Sequence, residues 1–329
     1  MQFMNNNILK QYLRLLEQEI RKHKFGKEPV SLYEPIRYLM SLGGKRMRPL
    51  LTLLAYGLFK NNPKKIVSYA VAVEAFHNFT LMHDDIMDNA PLRRGNVTVH
   101  EKWNVNTAIL SGDVMLVKVY DMLLSLEADK LKTILKAFNT CAAEVCEGQQ
   151  WDMEFETIDR VTEKQYINMI RLKTAVLLGF SLELGAILAD ASAEDQRALR
   201  EFGVNIGIGF QLKDDFLDAY ADPKKFGKQV GGDILANKKT YLLIKALEKA
   251  KGRQKQELMM LLNGKKVSPK KKIDAVKEIY NSLHIPEQTA KKVNQYFEKG
   301  FKNLDTLTCN PEAKSVLRKF TGDLIGREV

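Results

Sequence analysis

Cysteine is nearly absent from this sequence: Cys141, Cys146 and Cys309 are the only three in 329 residues. An odd number without CxxC spacing argues against a disulfide framework or a structural zinc site, and it suits a reducing compartment. The opening MQFMNNNILK lacks the basic start and apolar core of a signal peptide, so a cytoplasmic protein is expected. Long apolar runs are missing as well. The most apolar stretch, TAVLLGFSLELGAILADA (174–191), carries Glu183 and Asp190 and reads as a buried helix rather than a membrane span. No segment alternates in the manner of a strand, and no Gly/Ser-rich or low-complexity tract divides the chain. A single domain spanning 1–329 is therefore expected.

Acidic residues are the scarcer charge, 40 against 51 basic, for a formal net charge of +11. That balance admits nucleic acid, an anionic membrane surface or a phosphorylated small molecule as partner. No basic motif interleaved with aromatics supports nucleic acid. Part of the excess lies in lysine-rich stretches such as GKKVSPKKK (264–272), expected to be a solvated face. The 249–272 region is the weakest seam of the chain without amounting to a boundary.

What the chain does have is helical periodicity, in roughly a dozen segments that imply an all-α architecture. Ser31-x-x-Glu34 and Thr162-x-x-Gln165 read as capping boxes. Asn62-Pro63, Ser268-Pro269 and Asn310-Pro311 each offer an N-cap followed by proline at the first helical position. Two helices stand out because they are apolar over most of their surface, which places them centrally. One runs from about Lys64 to Asp88; the other runs from about Ala193 to Ala221, with Pro91 and Pro223 as the respective stops.

Both end in acid. Asp84, Asp85 and Asp88 in LMHDDIMDNAPLRRG have the same spacing as Asp214, Asp215 and Asp218 in GFQLKDDFLDAYADP. Carboxylates at i and i+4 share a face and repel, and the C-terminal end of a helix already carries partial negative charge. A strong cation must offset both clusters. A hard divalent ion fits, because Mg²⁺ takes carboxylate oxygens and completes its shell with water or substrate phosphate. Neither segment has the glycine and terminal glutamate of an EF-hand loop, and no Cys/His set has zinc spacing.

Basic clusters flank the acids. Lys45, Arg46 and Arg48 follow two glycines in SLGGKRMRP, Arg93 and Arg94 follow the first acidic motif, and Lys228 and Lys238 follow the second. Guanidinium forks match phosphate oxygens, and lysine adds a mobile point charge. Metal on one side of a diphosphate and cations on the other is the chemistry this pattern suits.

These motifs, together with GDVML (112–116), EGQQWDMEF (147–155) and YINMIRLKTAVLL (166–178), resemble the trans-isoprenyl diphosphate synthases, or polyprenyl synthetases, in order along nearly the whole chain. The resemblance implies an all-α bundle around a central cavity, a homodimer, and about three Mg²⁺ ions acting on diphosphate oxygens. It implies that Asp84, Asp88 and Asp214 are the principal metal ligands, supported by Asp85, Asp215 and Asp218. Arg93, Lys173, Lys228 and Lys238 then correspond to the allylic diphosphate site, and Lys45, Arg48, His77 and Arg94 to the isopentenyl diphosphate site. Thr174, Gln211 and the Lys173 carbonyl match the dipoles facing an allylic cation, and Gln149 and Asp152 match a GQxxD element.

The substrates so implied are isopentenyl diphosphate and dimethylallyl, geranyl or farnesyl diphosphate. Phe79 and Thr80, five and four residues before Asp84, occupy positions where aromatic side chains limit product length in this family. One aromatic and one small residue, with no insertion in the first motif, look most like the geranylgeranyl type; farnesyl or longer products are the alternatives. A terpene cyclase would carry a different second metal motif and lack GGKRMRP, and a non-catalytic subunit would have lost an aspartate motif.

Overall fold

A computed structural model describes residues 2–221, 230–264 and 267–325. It is all-α apart from one short ribbon, and it divides into two compact units. The first comprises Met1–Thr140, Phe180–Arg200 and Leu307–Leu317; the second comprises Cys141–Gly179, Glu201–Thr306 and Arg318–Val329.

In the first unit α1 (Gln2–Lys22), α2 (Val30–Ser41) and α3 (Met47–Gly57) surround α4 (Val67–Met87). The helix α4 carries the first aspartate motif and buries side chains on every side, including Ala70, Val73, Phe76, Phe79 and Met82. Its apolar composition demands that burial. Next come β1 (Leu92–Arg93) and β2 (Asn96–Val97), then α5 (Val99–Lys102) and α6 (Val105–Leu124), which packs along α4. The ribbon pairs Leu92 with Val97 and Arg93 with Asn96. Its turn residues Arg94 and Gly95 both have positive φ (54° and 76°), as a tight two-residue hairpin requires. Strands of two residues leave no alternation to read, so no periodicity in the sequence marks the ribbon.

The helices α7 (Ala128–Thr157), α9 (Val176–Leu188) and α10 (Ala193–Tyr220) carry the chain between units, with α8 (Glu163–Ile170) and a π-helical turn (Arg171–Ala175) preceding α9. The apolar 174–191 stretch is mostly this buried α9, and no helix among the described residues is long and apolar enough to cross a membrane. In the second unit α11 (Gly232–Leu235), α12 (Tyr241–Lys249), α13 (Gly252–Asn263), α14 (Pro269–Ser282) and α15 (Ile285–Asp305) follow α10. Leu242, Leu243, Ala246, Leu258, Leu261, Val276 and Ile279 form one core there. Within the 249–272 region, Ala250, Leu258 and Leu261 contribute to that core. In the same region Lys272 is buried, its ammonium donating to Asn237 Oδ1 at 2.6 Å, so the lysine stretch is not wholly a solvated face. The helix α16 (Pro311–Ile325) closes the described chain.

The caps differ in detail from the pattern. Thr162 and Gln165 form the reciprocal capping box, and Asn310 Oδ1 accepts from the N–H groups of Glu312 and Ala313 at 2.9 and 3.0 Å. Ser31 does not cap: Pro29 takes the N-cap position and Ser31 is already helical, so its hydroxyl lies past the first free N–H groups. Asn62 is left-handed (φ 70°) ahead of a 3₁₀ turn, Pro63–Ile66, which delays α4 to Val67. Ser268 stands at an N-cap without a side-chain bond. Pro223 lies outside the described residues.

Candidate functional site

In the first unit the three aspartates of α4 part company. Asp85 is buried, and Arg93 from β1 clamps it, donating from Nε to Oδ1 at 2.8 Å and again from Nη2. Arg93 Nη2 also reaches Asp84 Oδ2 at 3.4 Å. Burial pushes the Asp85 carboxyl up from its ordinary value, and the Arg93 ion pair pulls it back. Asp84 is half-buried and Asp88 is exposed, one turn apart. Part of the charge that was expected to need an outside cation is therefore met by Arg93 on the ribbon, which the eight-residue separation concealed.

The GGKRMRP run also splits. Arg46 adopts the left-handed conformation (φ 46°) and turns inward. Its guanidinium is buried, donating to Glu17 at 2.9 Å, to Glu74 at 2.8 Å and to the Met40 carbonyl at 2.8 Å. It ties α1, α2 and α4 together and is not available to a ligand in the way Lys45 is, which is exposed beside it. Arg48 Nη1 lies 3.0 Å from His77 Nε2. A guanidinium can only donate, so Nε2 accepts and the proton sits on Nδ1. Burial, then the charges of Arg48, Arg94, Arg93 and Arg46, hold the His77 pKa well below its ordinary value. Arg94 donates to the Gly43 carbonyl and lies over Gly44, where a Cβ would fall 2.9 Å from its guanidinium carbon. Gly44 (φ +135°) thus takes a backbone conformation that a side chain would strain, and leaves room for the Arg94 guanidinium. Lys45, Arg48, His77 and Arg94 are brought to one neighbourhood by that loop and by α3, α4 and the ribbon.

Upstream of Asp84, Phe79 is buried with its ring 5.7 Å from Phe76 and 4.8 Å from His83, centroid to centroid. Thr80 turns its hydroxyl back onto the His77 carbonyl at 2.8 Å.

The second unit repeats the division. Asp215 on α10 is buried, and both its oxygens are engaged: Tyr166 O–H donates to Oδ2, and Gln211 Nε2 donates to Oδ1 at 3.2 Å. Burial carries the Asp215 pKa up to about 7, opposed by the two hydrogen bonds and reinforced by the Asp233 charge. Asp214 is exposed beside it. Asp218 Oδ2 accepts the Asp233 N–H at 3.0 Å, which anchors the turn leading to Lys238, itself exposed. Lys228 lies outside the described residues.

The chain of bonds continues from Gln211, whose Oε1 accepts from Thr174 Oγ1 at 3.3 Å. Thr174 and Lys173 sit in the π turn, where the Val176 N–H returns to the Arg171 carbonyl. Such a wide turn disturbs the regular ladder, and π turns recur at functional sites. Lys173 Nζ donates to Asp152 at 2.6 Å, and the backbone of α7 comes close enough that a Cβ on Gly148 would fall 2.1 Å from the Lys173 nitrogen. Gln149, next to it, is half-buried with its Nε2 lacking a hydrogen-bond partner among the described residues. Gly148 is the glycine of the GQxxD element, and the signal for Tyr166 is that it lies seven residues, two helical turns, before Lys173.

A hard divalent cation suits this donor set. In each motif the middle carboxylate, Asp85 or Asp215, is the buried one, while half-buried Asp84 and Asp218 and exposed Asp88 and Asp214 present further carboxylate oxygens of the kind such an ion takes.

The sequence matches the family model described as Polyprenyl synthetase over residues 29–283. A short chain isoprenyl diphosphate synthase of Methanocaldococcus jannaschii is 38% identical over 275 residues, 83% of each chain. A geranylgeranyl diphosphate synthase of Methanosarcina mazei is 37% identical over 302 residues, 91% of each chain. Among solved structures, a geranylgeranyl pyrophosphate synthase has a TM-score of 0.92 at 43% identity, covering 98% of this chain and 99% of that one.

Proposed function

The chain belongs to the polyprenyl synthetase family, and from that premise we propose that it is a short-chain trans-prenyltransferase joining isopentenyl diphosphate to an allylic diphosphate, with geranylgeranyl diphosphate as main product. The observation that carries this reading is the repeated motif in which the middle aspartate is buried and held while exposed Asp88 and Asp214 and half-buried Asp84 and Asp218 stand near basic residues.

Asp84, Asp88 and Asp214 supply the carboxylates that hold divalent cations, read as about three Mg²⁺, which when bound neutralise charge on the diphosphate oxygens as Lewis acids. Asp85, Asp215 and Asp218 position them through Arg93, Tyr166, Gln211 and the Asp233 N–H. Arg93, Lys173, Lys228 and Lys238 bind the allylic diphosphate; Lys45, Arg48, Arg94 and neutral His77 bind that of isopentenyl diphosphate. The allylic C–O bond breaks and its electron pair leaves with the diphosphate. The Thr174 and Gln211 oxygens and the Lys173 carbonyl face the cation left behind with negative dipole ends. The isopentenyl double bond then attacks, forming the new C–C bond, and a proton passes to the released diphosphate. No protein nucleophile is required.

The relatives named geranylgeranyl diphosphate synthase support the product length, as does a wide, buried Phe79 next to a small Thr80. The outer face of α6 supports a homodimer. Leu110, Val117 and Leu124, seven residues apart, are 56–57% exposed, with Val105 and Ile109 beside them. A seven-residue apolar repeat is what one helix presents to another. The scarcity of cysteine supports a cytoplasmic enzyme, and the family match over residues 29–283 supports one polyprenyl synthetase domain.

An elongation assay with isopentenyl diphosphate and each allylic primer, with and without Mg²⁺, tests the reading. We expect Mg²⁺-dependent products ending at twenty carbons, a loss of about 10²-fold or more in turnover for Asp84→Ala and Asp214→Ala, and longer products for Phe79→Ala. No elongation with any primer would sink it.

A further inference from the structure

The first unit contains a cavity of about 680 Å³ at the α1–α2 corner, lined by none of the residues given a part in the proposed reaction. It shares only Arg46 with the GGKRMRP run and includes none of Lys45, Arg48, His77 or Arg94. Its wall carries five cationic side chains, Arg21, Lys24, Lys27, Arg37 and Arg46, against one carboxylate, Glu17. That carboxylate is already committed to Arg46. Among the described residues Arg21, Lys24, Lys27 and Arg37 are paired with no carboxylate, although Lys22 and Arg46 close by are.

Four uncompensated cations around one cavity repel one another, yet the loop that carries two of them is held in place. Arg37 Nη1 donates to the Gly26 carbonyl at 3.0 Å, and Phe25 is buried in a left-handed conformation (φ 56°). The floor is apolar: Ile20, Phe25 and Met40 are all buried and all line the cavity. Preformed apolar lining with a few placed charges is the usual anatomy of a small-molecule site, and guanidinium and ammonium groups together select phosphate oxygens.

We propose that this cavity is an accessory site for an anionic amphiphile, a phosphate or diphosphate ester with a hydrocarbon tail. Prenyl diphosphates are of that class, and choosing them as its occupant rests on the prenyltransferase reading. Arg46 lines the cavity while its bonds to Glu17, Glu74 and the Met40 carbonyl hold it, so it borders the occupant's space without being the group that binds it.

The test is calorimetric titration of the full chain in EDTA with geranylgeranyl diphosphate, and separately with dodecyl phosphate. The comparison is with Arg21→Gln/Lys24→Gln/Lys27→Gln and with Arg48→Gln/Asp84→Ala. All three residues of the triple variant are exposed, so it should fold and keep its turnover at saturating substrate. We expect the triple variant to bind either amphiphile at least tenfold more weakly at one site, and the double variant to keep that site. We also expect the affinity to fall as salt rises. Equal binding by wild type and triple variant overturns the proposal, as does loss of all binding in the double variant. A wild type that elongates nothing but still binds dodecyl phosphate through the three cations leaves the cavity assigned and refutes the prenyltransferase reading alone.

Discussion

Asp84 and Asp85 are neighbours in sequence with different surroundings, and the same is true of Asp214 and Asp215. The buried member of each pair is useful for what holds it. Asp215 depends on the Tyr166 hydroxyl and the Gln211 amide, and removing one donor from a buried carboxylate loosens the position of everything attached to it. Supporting partners of this kind typically change metal affinity by about 10–100-fold. Tyr166→Phe should therefore raise the Mg²⁺ concentration for half-maximal elongation by that order; an unchanged Mg²⁺ titration would make the bond merely structural. His77 offers a second measurement. The native state holds its imidazole neutral through burial and surrounding guanidinium groups, whereas an unfolded histidine titrates near about 6.5. As pH falls through that value the unfolded chain takes up a proton that the native chain refuses. This contribution to stability is complete above pH ~6.5 and declines below it by about 1.4 kcal/mol per unit. Denaturant melts of wild type and His77→Asn should diverge in slope below that pH and run parallel above it.

At the scale of elements, short contacts decide where functional groups point. The close approach of α7 to the π turn works only because residue 148 has no side chain. Gly148→Ala must push the turn or the helix aside, and overpacking of this kind costs about 1–3 kcal/mol. Thermal unfolding should show a lower midpoint together with a higher Michaelis constant for the allylic substrate, since Lys173 shifts with the turn. A midpoint equal to wild type would show that the contact is relieved at no cost. The helices themselves were legible beforehand: α4 and α10 follow from apolar composition, and the Thr162 and Asn310 caps follow from side-chain reach. What pattern could not supply was the ribbon, the delay of α4 behind a 3₁₀ turn, and the inward turn of Arg46. Each is settled by contacts more than a dozen residues away or by a backbone conformation with no compositional mark.

At the scale of the whole molecule, the exposed apolar repeat on α6 is the surface that a helical protein of this kind would be expected to cover. If a second copy covers it, Leu110→Glu/Val117→Glu should sediment as a single chain where wild type sediments as two, with helical content unchanged; a variant that still sediments as two chains would place the dimer elsewhere. The sequence by itself determined the all-α class, the two aspartate motifs and their basic companions, because helical period and charge spacing are local properties. Only the tertiary structure decided which carboxylate of each motif is buried and which donors occupy it, that Arg93 answers Asp85, and that Arg46 is a strut while Lys45 is exposed. Those outcomes depend on which distant side chains share a dehydrated space, where an unpaired charge is costly, and no local spacing encodes that.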